Sequence, residues 1–449
     1  MIGSMIDFPK TTELYFYIDV ISVLSYNGTG NKFERNVRMS VFKSADILLP
    51  RNADMEKWAV IACDQFTSDP AYWQRVRQTA GESPSTIHLI LPEAELGRTS
   101  EADTVKDINT AMERYLSEEV FTLYPNSFIY VERTLADGSV RPGLLGVVDL
   151  EEYDYHAGST SAIRATEKTV LERIPPRQRV RKDAPIELPH VLMLCDDDGK
   201  TLIEPIAAIR DTLPMLYDFD LMEQGGHISG WLVQGQAAAD FDARMTAFAE
   251  TVDSKYADLN GSVLLAVGDG NHSLATAKSC YEALKAANPD ADLSAHPARY
   301  SLVELENIHD PSLVFAPIHR IVMDVDGKKL LSDLNAVCAE GGYPVQWVMG
   351  EESGTVYLDK ARAELAVAVL QEFLDGWLSE NAGVIDYIHG DDEVKELARK
   401  ERSVGFLLPA MEKHQLFRGV ISGGALPRKT FSMGHAREKR YYLEGRKIR

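Results

Sequence analysis

The chain reads as a mixed α/β (α+β) protein, and three observations carry that reading. Residues 263–268 are apolar or glycine throughout, as expected of a strand buried on both faces. Leu274, Ala277, Tyr281 and Leu284 then recur at helical spacing, until Asn288-Pro289 stops the run. A composition of 45% hydrophobic and 26% charged residues over 449 positions suits a globular body of two or three domains, or one large domain with additions.

Taken in order, residues 1–38 differ from the remainder of the chain. Residues 14–26 are rich in aromatic and branched side chains, but Asp19 interrupts them. The run is too short to span a bilayer, and no small-residue cleavage site succeeds it. An N-terminal extension with an alternative start at Met39 is expected, and a β-hairpin of the fold is the competing reading. The segment at 45–50 leads to a strand expected at 57–65, and helices are expected at 69–78 and 101–116. Two further strands, at 127–133 and 143–150, flank a turn at Asp137-Gly138. Arg164, Arg173, Arg177, Arg179 and Arg181 form a basic cluster that suits either a salt-bridged face or a small anion. The strand at 191–195 leads into Asp196-Asp197-Asp198-Gly199. That run lacks the alternate-position spacing of a calcium loop and reads as a hairpin turn.

A glycine-opened strand at 225–233 carries His227, and a helix at 237–257 feeds the central strand. Beyond the central helix, the strand at 299–311 carries Glu304 and ends on His309 and Asp310, with His319 and Arg320 shortly after. Histidines and carboxylates grouped at strand ends are candidates for proton transfer or binding. The C-terminal third alternates a helix at 360–381, a strand at 386–390, a helix at 393–401 and a strand at 404–409. It ends in a basic, aromatic-interleaved tail from Ala425. The tail reads as a strand docking on an acidic body, or as phosphate contacts closing a cleft.

Charge narrows the function. Lys and Arg total 47 against 68 Asp and Glu, a net charge of −21, so no nucleic-acid partner is expected. Cys63, Cys195, Cys280 and Cys338 form no CxxC pair, which argues against a zinc knuckle or a secreted disulfide framework. A cytoplasmic protein with no membrane partner is expected.

The chemistry concentrates in the turn Gly268-Asp269-Gly270-Asn271-His272-Ser273. Gly268 and Gly270 allow a sharp turn and close approach to a ligand. The adjoining helix start offers unpaired N–H groups and partial positive charge, as an anion such as phosphate requires. Asp269 or Asn271 acting as a simple helix cap, with His272 solvated, is the alternative. A dinucleotide fingerprint would need glycine at Ser273. A P-loop would need four residues between its glycines and then Lys-Ser/Thr.

Three blocks together resemble one family, domain of unknown function 1015 (DUF1015). They are the 268–272 turn, the run from Arg299-Tyr300 to His319-Arg320, and the tail from Leu426 to Tyr442. The similarity runs from about Met39 to the C-terminus. It implies a ParB/sulfiredoxin-like core with a mixed sheet at roughly 160–330, a C-terminal lobe at roughly 346–449, and additional N- and C-terminal α/β elements. The family's turn resembles Asp-Gly-His-His-Arg. Asp269 and His272 match it, Asn271 stands for the first histidine and Ser273 for the arginine.

The superfamily includes nucleotide-binding partition proteins, sulfiredoxins and free-serine kinases, so the resemblance implies a nucleotide-dependent phosphotransferase acting on a small hydroxyl substrate, with L-serine the first to test. Asp269, His272 and Glu167 are the expected catalytic residues. Gly268, Gly270, Asn271, Ser273, Lys278, Arg164 and Arg428 are the expected phosphate and nucleotide contacts. His227, Glu304, His309, Asp310, His319 and Arg320 are the expected second wall. Mg²⁺ on Asp269 and ATP or ADP as donor complete the expectation. A non-catalytic nucleotide-binding regulator is the rival. Sulfiredoxin chemistry is disfavoured because no cysteine stands at the turn.

Overall fold

The computed structural model describes residues 25–26, 32–33, 41–96, 101–156, 158–167, 169, 174–259, 261–427 and 429–449. The chain divides into two units, 1–39 and 40–449. In the first, Ser25–Tyr26 pairs antiparallel with Lys32–Phe33. The rest of the 1–38 extension lies outside the described residues.

The second unit is mixed α/β. The apolar run forms the strand Leu265–Asp269, and the helical spacing forms Asn271–Ala287. Leu265, Ala266 and Val267 are fully buried, and the helix covers them with Leu274, Ala275, Ala277 and Tyr281. Around this strand the described residues build an 11-stranded mixed sheet. On one side Leu265–Asp269 pairs parallel with Ile163–Ala165. On the other it pairs antiparallel with Leu192–Cys195, which runs parallel to Tyr300–Asn307. Phe121–Thr134 and Val140–Asp149 extend the sheet as the antiparallel pair expected around Asp137-Gly138. The His227–Val233 and Met215–Asp220 strands form one edge. Asp196–Gly199 is not a hairpin turn, because the strand before it finds its partners at 265–269 and 300–307 and a short helix, Glu204–Ala207, comes next.

A second, six-stranded sheet is built on Phe315–Met323, with Val384–His389 and Val404–Leu407 antiparallel on either side. The strands Cys338–Met349 and Glu352–Leu358 extend it. They were not legible in the sequence, because their glycines and alternating polar residues resemble loops.

The tail threads both regions. Phe431–Met433 pairs with the start of Phe315–Met323, Tyr441–Tyr442 pairs with Val60–Ile61, and Arg446–Lys447 pairs with Ile186–Glu187. Its anchor is ionic. Arg440, 2% exposed, sets Nε 2.9 Å from Glu304 and Nη2 2.8 Å from Glu444, while Arg141 sits 2.9 Å from Glu306. These carboxylates are buried, and such charges persist only when paired.

Burial pushes the Glu306 carboxyl to about 7, above its ordinary 4.5, with Arg141 opposing the shift and Glu304 adding to it. The folded state then holds a proton that the unfolded chain releases between those values. Stability therefore falls as pH rises through that window. Urea midpoints at pH 5 and pH 8 are expected to differ less in Glu306→Gln than in the unmodified protein. An unchanged difference would refute this.

Candidate functional site

The strands Ile163–Ala165 and Leu265–Asp269 are parallel, so both end at the same sheet edge. Crevices outside the carboxyl ends of parallel strands are where open α/β sheets bind ligands. A cleft of about 560 Å³ opens there. Its floor is Thr166 and Glu167 from one strand end and the turn from Gly268 to Ser273 from the other. Ile318 and His389 of the second sheet face it, and the tail covers it with Lys429, His435 and Lys439.

The turn forms because glycine stands where other residues fail. Gly270 has φ +79° and caps the helix without any side-chain hydrogen bond. A Cβ at this position would lie 3.1 Å from Val191. The helix N-terminus thus meets the cleft without a side-chain cap, which rules out capping by Asp269 or Asn271. Gly268 packs so closely that a Cβ would come within 2.8 Å of Leu194 and Met433. Gly270→Ala is expected to cost about 1–2 kcal/mol for the left-handed backbone, read as a lowered urea midpoint. A neutral substitution would contradict the strained geometry.

The carboxylates of the floor are held differently. Asp269 Oδ1 accepts from the Gly270 N–H at 2.9 Å, and Oδ2 lies 3.1 Å from Lys439 Nζ. Asn271 braces the neighbouring strand end, accepting from the Thr166 N–H at 3.3 Å. Burial raises the Glu167 carboxyl above its ordinary range, with the nearby Asp269 charge adding to this and Lys429 and Lys439 opposing it. Across the cleft, burial lowers the His389 imidazole, reinforced by Lys429, Lys439, His435 and His319. Arg177, Lys429 and Lys439 thus line the cleft together with the carboxylates of Asp64, Glu93, Glu167 and Asp269.

One wall is a hydrogen-bonded chain. Ser273 Oγ lies 3.0 Å from His190 Nε2, His190 Nδ1 lies 2.8 Å from the Tyr442 hydroxyl, and that hydroxyl lies 3.1 Å from Cys63 Sγ. Burial, with the Asp64 charge, pushes the Cys63 thiol up to about 11, so it packs as a neutral group. Arg177 pairs with Glu93 at the same wall.

The family described as "Protein of unknown function (DUF1015)" matches residues 47–419. The chain belongs to the DUF1015 family. No curated protein matches it. Among solved structures, a free serine kinase in complex with AMP aligns at 10% identity and a TM-score of 0.35, covering 67% of this chain and 91% of that one. C-terminally truncated SbnI from Staphylococcus aureus aligns at 10% identity and 0.33, covering 65% and 83%. A conserved hypothetical protein from Pyrococcus furiosus aligns at 11% and 0.33, covering 66% and 92%. At these scores the likeness decides nothing about this DUF1015 chain.

In this DUF1015 chain the cleft unites Asp269, His272, Glu167, Gly268, Gly270, Asn271 and Ser273. Other expected site residues lie elsewhere. Arg164, 2% exposed, donates to the carbonyls of Ser161 and Ser262, at the opposite end of the central strand. Lys278 is two turns into the helix and binds the Leu150 carbonyl and Glu282. Arg428 lies outside the described residues. His309 and Asp310 sit at the far edge of the sheet, because Leu192–Cys195 is antiparallel to the central strand and carries Tyr300–Asn307 with it. There His309 lies 2.5 Å from Asp196, and Asp310 takes the Ser312 N–H.

Glu304 belongs to the buried ionic anchor, and His227 bridges Asp218 and Asp220 on the edge hairpin. His319 is 2% exposed. Its Nδ1 accepts from the Leu408 N–H, so Nε2 carries the proton toward Asp391. Arg320 is buried and donates to the Lys429 carbonyl at 2.9 Å, which makes it a positioning residue for the tail. Asp269 is engaged with Lys439, and among the described residues no three His, Cys, Asp or Glu side chains gather into a metal-binding cluster. Sequence reasoning missed Asp64, His190 and His389, and it placed Lys429, His435 and Lys439 only in a tail that either docks as a strand or closes a cleft with phosphate contacts. The basic tail was the one visible signal. No helix among the described residues is long and apolar enough to cross a membrane.

Proposed function

We propose that this cleft binds the phosphates of ATP or ADP and transfers a phosphoryl group to a small hydroxyl acceptor. The reading includes a ParB/sulfiredoxin-like core at roughly 160–330 and a C-terminal lobe at roughly 346–449. The observation that supports it is the meeting of Lys429 and Lys439 with an uncapped helix N-terminus above two carboxylates. Phosphoryl transfer needs positive groups on the migrating phosphate and an acceptor for the hydroxyl proton. The amides at the start of the helix and the two lysines hold the phosphates. Glu167 takes the proton from the acceptor hydroxyl as its oxygen bonds to the terminal phosphorus. The bond to the nucleotide's bridging oxygen breaks, and the shortened nucleotide leaves with the electron pair. Asp269 keeps Lys439 over the phosphate, and His272 contacts it.

The test is ³¹P NMR of the purified protein with ATP or ADP, Mg²⁺ and L-serine. Phosphoryl transfer to a hydroxyl acceptor is expected, with L-serine the first tested, and Asp269→Asn is expected to lower turnover while nucleotide still raises the melting temperature. Nucleotide binding without turnover on any hydroxyl acceptor would instead support the regulatory reading. No binding and no turnover sinks both.

A further inference from the structure

Behind the cleft lies a second space, a chamber of about 150 Å³. Glu93, Arg177, His190 and Ser273 line both spaces, which adjoin at these residues. The chamber walls are hydrocarbon, drawn from several elements: Leu91, Met112, Val180, Ala184, Ile186 and Leu302. Its polar side chains are already engaged. His190 is bonded to Ser273 and Tyr442, Glu187 to Arg446 and Arg181, Ser301 to Glu187, and Thr276 to the His272 carbonyl. Such walls recognise shape and apolar surface. An apolar space of about 150 Å³ accepts a guest the size of benzene.

We propose that this chamber holds a compact hydrocarbon group of the ligand whose polar end reaches the cleft. Resting on the phosphotransferase reading, this makes the acceptor a hydroxyl compound bearing a branched-alkyl or aryl group, bulkier and less polar than L-serine. The hydrocarbon lies on the far side of the shared residues, and the hydroxyl remains beside Ser273, facing the phosphates.

The test compares inorganic phosphate with benzyl phosphate by calorimetry on the full chain, and inorganic triphosphate with ATP. Benzyl phosphate is expected to bind at least about tenfold tighter than phosphate. Ala184→Leu, which fills the chamber, is expected to bring the two within about twofold and leave phosphate affinity unchanged. Met112→Phe narrows the same space from the helix Glu101–Ser117 and serves if the first variant does not fold. Benzyl phosphate binding no tighter than phosphate, or keeping its advantage in a folded filled variant, overturns the proposal. So does a filled variant that loses the advantage of ATP over triphosphate, because the base would then occupy the chamber. Failure of phosphoryl transfer to every acceptor, with the benzyl preference intact, removes the kinase reading and leaves the chamber's ligand class standing.

Discussion

Glu167→Gln lowers phosphoryl transfer by about 10²–10⁴-fold, the usual contribution of a positioned base. The amide keeps the shape of the side chain and its place beside the Lys429 and Lys439 charges, so ATP affinity changes by a few-fold at most. The pH profile adds a second signature. Burial raises the Glu167 carboxyl, and only the ionised form accepts a proton, so turnover falls as pH drops through a value above the ordinary carboxylate range. In the Gln variant that limb disappears. Initial rates measured against pH for both proteins check this, and a variant with unaltered rate and profile removes Glu167 from the mechanism.

The largest expected effect on stability is at Arg440. Arg440→Met removes the partner of Glu304 and of Glu444, which are 3% and 0% exposed. Breaking a buried pair from one side costs about 3–5 kcal/mol, because the remaining charge has no water to solvate it. Glu444 keeps the Tyr217 hydroxyl at 2.6 Å, which reduces the loss without cancelling it. A urea midpoint lowered by less than the equivalent of about 1 kcal/mol would mean that water reaches these carboxylates.

How much could be read from the chain depends on the range of each signal. The 263–268 run and the Leu274-Ala277-Tyr281 spacing are local, and they revealed the central strand, its helix and the turn that floors the cleft. The partners of that turn depend on register, which no single segment encodes. His309 and Asp310 lie at the end of a strand, but one antiparallel neighbour, Leu192–Cys195, sends them to the opposite edge of the sheet. Arg164 sits one strand from the turn, yet its side chain satisfies two carbonyls at the other end. Conversely, Lys439 and Asp269 are far apart in the chain and meet at 3.1 Å because the tail strand docks on Val60–Ile61. The tail's basic and aromatic interleaving was visible, but its destination was not.

That docking has a kinetic consequence. Trp58 donates its indole N–H to the Leu443 carbonyl at 2.7 Å, a contact spanning 385 positions. Contacts so remote form slowly, because a very long loop must close before they stabilise anything. While the ribosome is still extending the chain, the early strands wait with their apolar faces uncovered, a state that invites chaperone binding. Ligand affinity would then depend on one closing event, the seating of Tyr441–Tyr442 on Val60–Ile61, instead of accumulating gradually.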